Sequence, residues 1–335
     1  MRIFLISCFA VLLWSCSMGS KDARKINGVS FVSFSDSITY AHIKPIKKIH
    51  SNYVSIMPFG FVQDINHPEI IYNSARQWFG ETENGVKQYV ENFKKQHIKV
   101  MIKPQIWVRG GEYTGLIHMK TEDEWLQLER TYSEYILKFA AVAEAVDAEI
   151  FCVGTELEAF VENRPNYWKQ LIVDVQNVYS GKITYAANWN EYEKIPFWSQ
   201  LDYIGIDAYF PVSDLKTPTV EDCKTQWLKY KTTMGNLSIT LSKPVLFTEF
   251  GYRSVDFTGK TPWESSRDMK AVNLTAQANA TQALLETFWG ENWFAGGFAW
   301  KWHHDHGNSG GAENTMFTPQ NKPAELLLKE TYHNY

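Results

Sequence analysis

Two glutamates stand where a chain of this kind could do acid–base and nucleophilic chemistry. Residues 244–252 read Pro-Val-Leu-Phe-Thr-Glu-Phe-Gly-Tyr, an apolar run with Glu249 at its end. Residues 149–158 read Glu-Ile-Phe-Cys-Val-Gly-Thr-Glu-Leu-Glu, a second such run that closes on Glu156. A short, nearly all-apolar segment is the pattern of a strand buried on both faces, and a carboxylate in that company is costly unless it serves a site. About three strand-plus-helix units of roughly 30 residues each separate the two. A facing pair of carboxyl groups can cleave a glycosidic bond: one protonates the leaving oxygen while the other attacks or activates water. A separation of ~5–5.5 Å gives retention through a covalent intermediate, and one of roughly 6.5–9.5 Å gives inversion.

The elements that would position this pair alternate along the chain. Strands are expected at 28–34, 52–59, 99–108, 149–155, 182–189, 201–210, 244–252 and 294–302. Helices are expected at 42–50, 82–96, 121–146, 165–179, 219–241, 273–289 and 323–332, with 66–80 as a long loop. Thr121 and Glu124 form a capping box, while Pro165 and Gly181 bracket the start and end of the next helix. Eight strands, each followed by a helix or a loop leading to one, predict the α/β class and a (β/α)8 TIM barrel, a single catalytic domain over residues 27–335. No Gly-x-Gly-x-x-Gly turn follows the first strand, which argues against dinucleotide binding. In a barrel the catalytic groups occupy the C-terminal strand ends, so strand four delivers Glu156 and strand seven Glu249, facing one another across the cleft.

Composition narrows the function further. At 335 residues and 44% hydrophobic content the chain can bury one large core. Its net charge is -4 and its 33 Lys and Arg are scattered, which argues against nucleic acid as a partner. The 13 Trp and 17 Tyr exceed the needs of an ordinary core; flat aromatic surfaces suit sugar rings, although core packing and cleft walls use the same residues. Residues 1–16 carry Arg2, an apolar stretch and Leu13-Trp14-Ser15-Cys16, and resemble a bacterial lipoprotein signal peptide; an ordinary secretory peptide is the alternative. The expectation is lipidation at Cys16, a linker over 17–26, and a bacterial cell-envelope location at the outer membrane or cell surface. The membrane is then touched only through the N-terminal lipid anchor, and the protein is expected to be a monomer. Cys152 and Cys223 read as small buried or half-buried thiols rather than a disulfide.

Four segments carry a family resemblance. Residues 153–158 (Val-Gly-Thr-Glu-Leu-Glu), 204–211 (Ile-Gly-Ile-Asp-Ala-Tyr-Phe-Pro), 247–254 (Phe-Thr-Glu-Phe-Gly-Tyr-Arg-Ser) and 297–302 (Gly-Phe-Ala-Trp-Lys-Trp) resemble glycoside hydrolase family 113, of clan A. The resemblance runs over 27–332 and implies a retaining, endo-acting β-1,4-mannanase acting on mannan or manno-oligosaccharides without a cofactor. Glu156 would be the acid/base and Glu249 the nucleophile. The rival readings are a hydrolase of another β-glycan, of glucan or xylan type, and a glycan-binding surface lipoprotein without turnover. Many members of the clan place Asn before the acid/base to hold the sugar 2-hydroxyl, whereas this chain has Thr155. Lys103 and Gln105, on strand three, are candidates for that contact. The resemblance also implies that Tyr209 donates to Glu249 and that Trp300 floors the cleavage point. Trp107, Asn188, Trp189 and Asp207 complete the substrate-binding candidates, each of which could instead serve the core or the barrel mouth.

Four alternatives compete with these roles. Glu158 shares a strand face with Glu156 and is a rival acid lying past the strand end. Glu156 and Glu249 could also be buried structural partners of Lys103 or Arg253. The His303-His304-Asp305-His306 cluster invites a metal, but no Cys or third spaced ligand joins it; a polar cleft wall and no metal site are expected. No His-Asp arrangement accompanies the Thr155 and Ser254 hydroxyls, against a serine hydrolase.

Overall fold

In the computed structural model, which describes residues 24–266 and 271–335, the apolar runs become parallel strands. Cys16 and linker residues 17–23 lie outside the described residues. In chain order the strands are β1 (Ile26–Phe31), β2 (Tyr53–Ile56), β3 (Phe59–Val62), β4 (Lys99–Ile102) and β5 (Gln105–Val108). They continue as β6 (Ile150–Thr155), β7 (Lys182–Asn188), β8 (Ile204–Asp207), β9 (Val245–Phe250) and β10 (Phe294–Trp302). Eight of them close a barrel in the order β1-β10-β9-β8-β7-β6-β4-β2, with every neighbouring pair parallel. This is a (β/α)8 TIM barrel.

The helices packed around it are α1 (Tyr40–Lys48), α2 (Glu83–Lys95), α3 (Glu122–Ala145), α4 (Glu158–Asn163), α5 (Pro165–Val178), α6 (Val220–Leu241), α7 (Leu274–Phe288) and α8 (Pro323–Asn334). The capping box at Thr121 is present, its hydroxyl accepting from Glu124 N at 3.3 Å while Glu124 Oε2 accepts from Thr121 N at 2.9 Å. The short α4, which no helical spacing announced, begins two residues after Glu156. Among the described residues no helix is long and apolar enough to cross a membrane.

The first three barrel strands differ from expectation. Ile26, expected to close the linker, already pairs with Gly296 in β1. The segments 52–59 and 99–108 are each broken in two, at Met57-Pro58 and at Lys103-Pro104. Proline has no N–H to give to a ladder and its ring fixes the backbone, so each strand stops and restarts. The restarted pieces, β3 and β5, pair with each other from Phe59↔Gln105 to Val62↔Val108 in a small separate sheet. Gln105 and Trp107 ride on that sheet, beyond the C-terminal ends of β2 and β4.

Side chains alternate between the barrel interior and the helical layer, as the pleat requires. Ile26, Met101, Ile150, Cys152, Ala186, Leu246 and Phe298 form one inner cluster, while Val29, Val54, Phe151, Val153, Ile204, Ile206 and Phe247 join the outer one. Phe298 fills the interior so closely that a Cβ on Gly28 would come within 2.4 Å of its ring, so this position admits only glycine without a shift. Cys152 and Cys223 are buried free thiols.

Candidate active site

Simple alternation from Leu246 would send Thr248 inward and Glu249 outward. A bulge reverses the second half of that expectation. Ile206 pairs with Phe247, but Asp207 pairs with Glu249, so β9 carries one extra residue opposite β8. The kink lets both Thr248 and Glu249 face the barrel, the use to which bulges beside active sites are put. A second register shift occurs on β6, between Cys152↔Thr184 and Thr155↔Ala186. It leads into Glu156, which lies one residue past the strand with φ +50°, a left-handed conformation rare for a residue with a side chain.

Four donors converge on two acids, Glu249 and Asp207. Lys103 Nζ lies 2.5 Å from Glu249 Oε1 and 3.1 Å from each oxygen of Asp207. Gln105 Nε2 donates to Glu249 Oε1 at 2.8 Å, and Tyr209 donates its hydroxyl proton to Glu249 Oε2 at 2.7 Å. Thr248 Oγ1 donates to Asp207 Oδ1 at 2.7 Å. Burial would lower the Lys103 ammonium, but the charges of Asp207 and Glu249 outweigh it and hold Lys103 above its ordinary value. Asp207 is pushed up by burial first and by the Glu249 charge second, with Lys103 and Thr248 offsetting only part. Burial, then Glu249, raises the Tyr209 phenol, so it stays a donor.

Glu156 meets the opposite environment. Although the residue as a whole is half-buried, its carboxyl is pushed well above the usual carboxylate range by burial, by the charges of Asp207 and Glu249, and by Glu191, with Lys103 opposing. One cation among these carboxyl groups cannot balance them all, so the proton settles where burial is least relieved.

The other expected residues divide between cleft and core. Trp107 is exposed and meets Phe59 edge-on; Trp300 is half-buried near the end of β10. Asn188, at the end of β7, donates to the Tyr113 hydroxyl at 2.8 Å, and Trp189 stacks on the exposed Trp263 with ring centres 5.2 Å apart. Lys103 and Asp207, read as substrate-binding residues, are wholly buried and spend their polar atoms on each other, Thr248 and Glu249. They brace the Glu249 carboxylate rather than line the cleft, because their strands deliver them below the level reached by Gln105. Glu158 opens α4 and pairs with Lys194 at 3.4 Å. Arg253 donates to Thr315 O at 3.0 Å, away from both glutamates. The histidines following β10 diverge: His304 stacks on Phe34 with centres 3.8 Å apart, and His306 Nε2 lies 2.7 Å from Glu325 Oε1. Three residues of this region carried no sequence signal: Tyr113 and Glu191, in polar stretches, and Tyr185, inside an apolar strand.

Removing Lys103 has a calculable effect. In Lys103→Met the two acids it bridges face each other with no cation between them, and breaking a buried ion pair from one side costs about 3–5 kcal/mol. Asp207, already pushed up by burial, can take a proton and soften the loss. The folded variant then binds more protons than the unfolded chain, so its deficit grows as pH rises. Chemical denaturation of wild type and Lys103→Met at several pH values reads this directly, and an equal deficit at every pH would refute it.

A parallel barrel that gathers buried, mutually perturbed acids from separate strands at its C-terminal mouth is the architecture of a barrel enzyme. The profile of glycoside hydrolase family 113 matches residues 30–322, and the chain belongs to that family: it is a glycosidase. Among solved structures, a complex of a GH113 β-1,4-mannanase is 22% identical, with 93% of this chain and 100% of that chain covered at a TM-score of 0.81. A GH113 β-mannanase from Alicyclobacillus acidocaldarius in complex with ManMIm is 24% identical, over 93% and 98%, at 0.81. A β-glucuronidase from Ruminococcus gnavus is 11% identical, over 92% of this chain and 50% of that one, at 0.61. At these identities the likeness is one of fold. No curated protein matches the sequence.

Proposed function

We propose that the protein hydrolyses β-1,4-mannosidic linkages in mannan or manno-oligosaccharides with retention, using Glu249 as nucleophile and Glu156 as acid/base. The observation that carries this reading is the contrast between the two environments. Lys103, Gln105 and Tyr209 all donate to Glu249, the company an anionic nucleophile needs, whereas burial and neighbouring negative charge keep a proton on Glu156. Glu249 attacks the anomeric carbon as Glu156 passes its proton to the departing oxygen, leaving a glycosyl ester. Glu156, now ionised, takes a proton from water, which attacks the same carbon and releases both the sugar and Glu249. The bracing of Glu249 by Lys103, which a purely structural pair would share, does not explain a Gln105 side chain and a phenol aimed at the same carboxylate. Exposed Trp107 and half-buried Trp300 offer flat faces for sugar rings.

The choice of mannosides rests on the family and on the mannanase names of the two structures above. A panel of β-1,4-linked manno-, gluco- and xylo-oligosaccharides, with the anomeric form of the first product followed by NMR, tests it. The expected result is cleavage of the manno series with β-anomer released first. Cleavage of only another series overturns the substrate, first release of the α-anomer overturns retention, and binding without cleavage of any overturns the catalytic reading.

A further inference from the structure

The corner formed by Glu156 and Leu157 does not hold itself. A left-handed residue with a Cβ persists only where its surroundings over-determine it. Here Glu156 N donates to Ala186 O at 2.8 Å, and Thr114 Oγ1 donates to Glu156 O at 3.2 Å. The next amide, Leu157 N, donates to the Tyr185 hydroxyl oxygen at 2.8 Å. Tyr185 is wholly buried among Trp168, Phe197 and Trp198, where a phenylalanine ring would pack equally well. Its hydroxyl therefore needs a separate reason, and it lies between the Leu157 amide and Glu191, whose Oε1 is 3.5 Å away. Glu191 is only 1% exposed. Its Oε1 accepts from Asn188 N at 2.8 Å, and its Oε2 is buried without a partner. A carboxyl kept in such a place is costly, and burial pushes it up to about 8, with the Glu158 and Asp207 charges adding.

We propose that Tyr185, backed by Glu191, is a positioning residue that fixes the Leu157 amide and thereby aims the Glu156 carboxyl at the departing glycosidic oxygen. Glu191 grips the end of β7 through the Asn188 amide and faces the phenol; the phenol holds the amide after Glu156; that contact sets the backbone from which the acid projects. The proposal rests on Glu156 being the acid.

The test compares the full chain with Tyr185→Phe, Glu191→Leu, Glu191→Gln and Glu156→Gln, using aryl β-mannobiosides of graded leaving-group pKa and following thermal melting alongside. Tyr185→Phe should lower kcat about 10- to 100-fold on the poorest leaving groups, with KM nearly unchanged and a smaller loss on activated ones, the signature of a misaimed acid. Glu191→Leu should behave likewise, and Glu191→Gln, whose carbonyl still accepts from Asn188, should recover most of that loss. A folded Tyr185→Phe with wild-type leaving-group dependence, or a loss equal across the series, overturns the positioning role. Glu156→Gln reports separately: if its loss does not depend on the leaving group, the acid assignment itself fails and this inference with it.

Discussion

Glu249→Ala should lose turnover by on the order of 10⁴- to 10⁶-fold in kcat, the range expected for removal of a covalent nucleophile, the role proposed for Glu249. A loss of 10⁵ corresponds to about 7 kcal/mol of transition-state stabilisation. The variant should still fold, because Lys103 keeps both oxygens of Asp207 as partners at 3.1 Å when Glu249 is gone. That asymmetry separates it from Lys103→Met, where the cation is lost and the acids remain. Truncation also leaves a space beside the Gln105 amide and the Tyr209 hydroxyl, two donors that had served the missing carboxylate. A small anion such as azide can enter there and attack the anomeric carbon of an activated aryl glycoside from the nucleophile's side. The product should then be a glycosyl azide of inverted configuration. Measured kcat within tenfold of wild type, or no azide adduct from a folded variant, would count against Glu249 as nucleophile.

The barrel was legible because its signals are repeated. Apolar runs such as 149–155 and 244–252 alternate with helical spacing, and caps such as Thr121-Glu124 mark boundaries independently of packing. What escaped was local and depended on neighbours. Pro58 and Pro104 are visible in the sequence, but that the strands restart and pair as a second sheet depends on both breaks falling at matching registers. Strand parity would have pointed Glu249 away from the barrel; only the extra residue opposite Asp207 turns it in. Glu249 was found in sequence by its cost in an apolar run, which holds whichever way it faces.

The substrate-binding candidates show the same limit. Lys103 and Gln105 are two positions apart and share a face, so sequence treats them alike. The structure separates them by depth: Lys103 is wholly buried at the top of the barrel core, while Gln105, after Pro104, stands half-buried on the small sheet. Glu191 escaped because residues 188–194, Asn-Trp-Asn-Glu-Tyr-Glu-Lys, look like a solvated loop. Its burial comes from β7 and Tyr185 closing over it, contacts that no local pattern announces.

For Glu156→Gln the expected loss depends on what departs. General-acid assistance contributes about 10²- to 10⁴-fold where the leaving group needs a proton. Natural oligosaccharides, whose departing sugar hydroxyl is a poor leaving group, should lose that much. An activated aryl glycoside, whose phenolate leaves unaided, should be slowed little in the first step. Its intermediate should then accumulate, because the glutamine cannot take the proton from the attacking water, so a burst of aryl release precedes a slow steady state. The pH profile supplies an independent check. Burial and the neighbouring Asp207 and Glu249 charges raise Glu156, so in the wild type it keeps its proton to higher pH than an ordinary carboxyl. Activity on oligosaccharides should fall only as pH climbs through that raised value, and the alkaline limb should vanish from the glutamine variant, which has no proton there to lose. Equal losses on both substrate types, or an alkaline limb unchanged by the substitution, would assign the proton to another group; Glu158, paired with Lys194 at the start of α4, would be the next to replace.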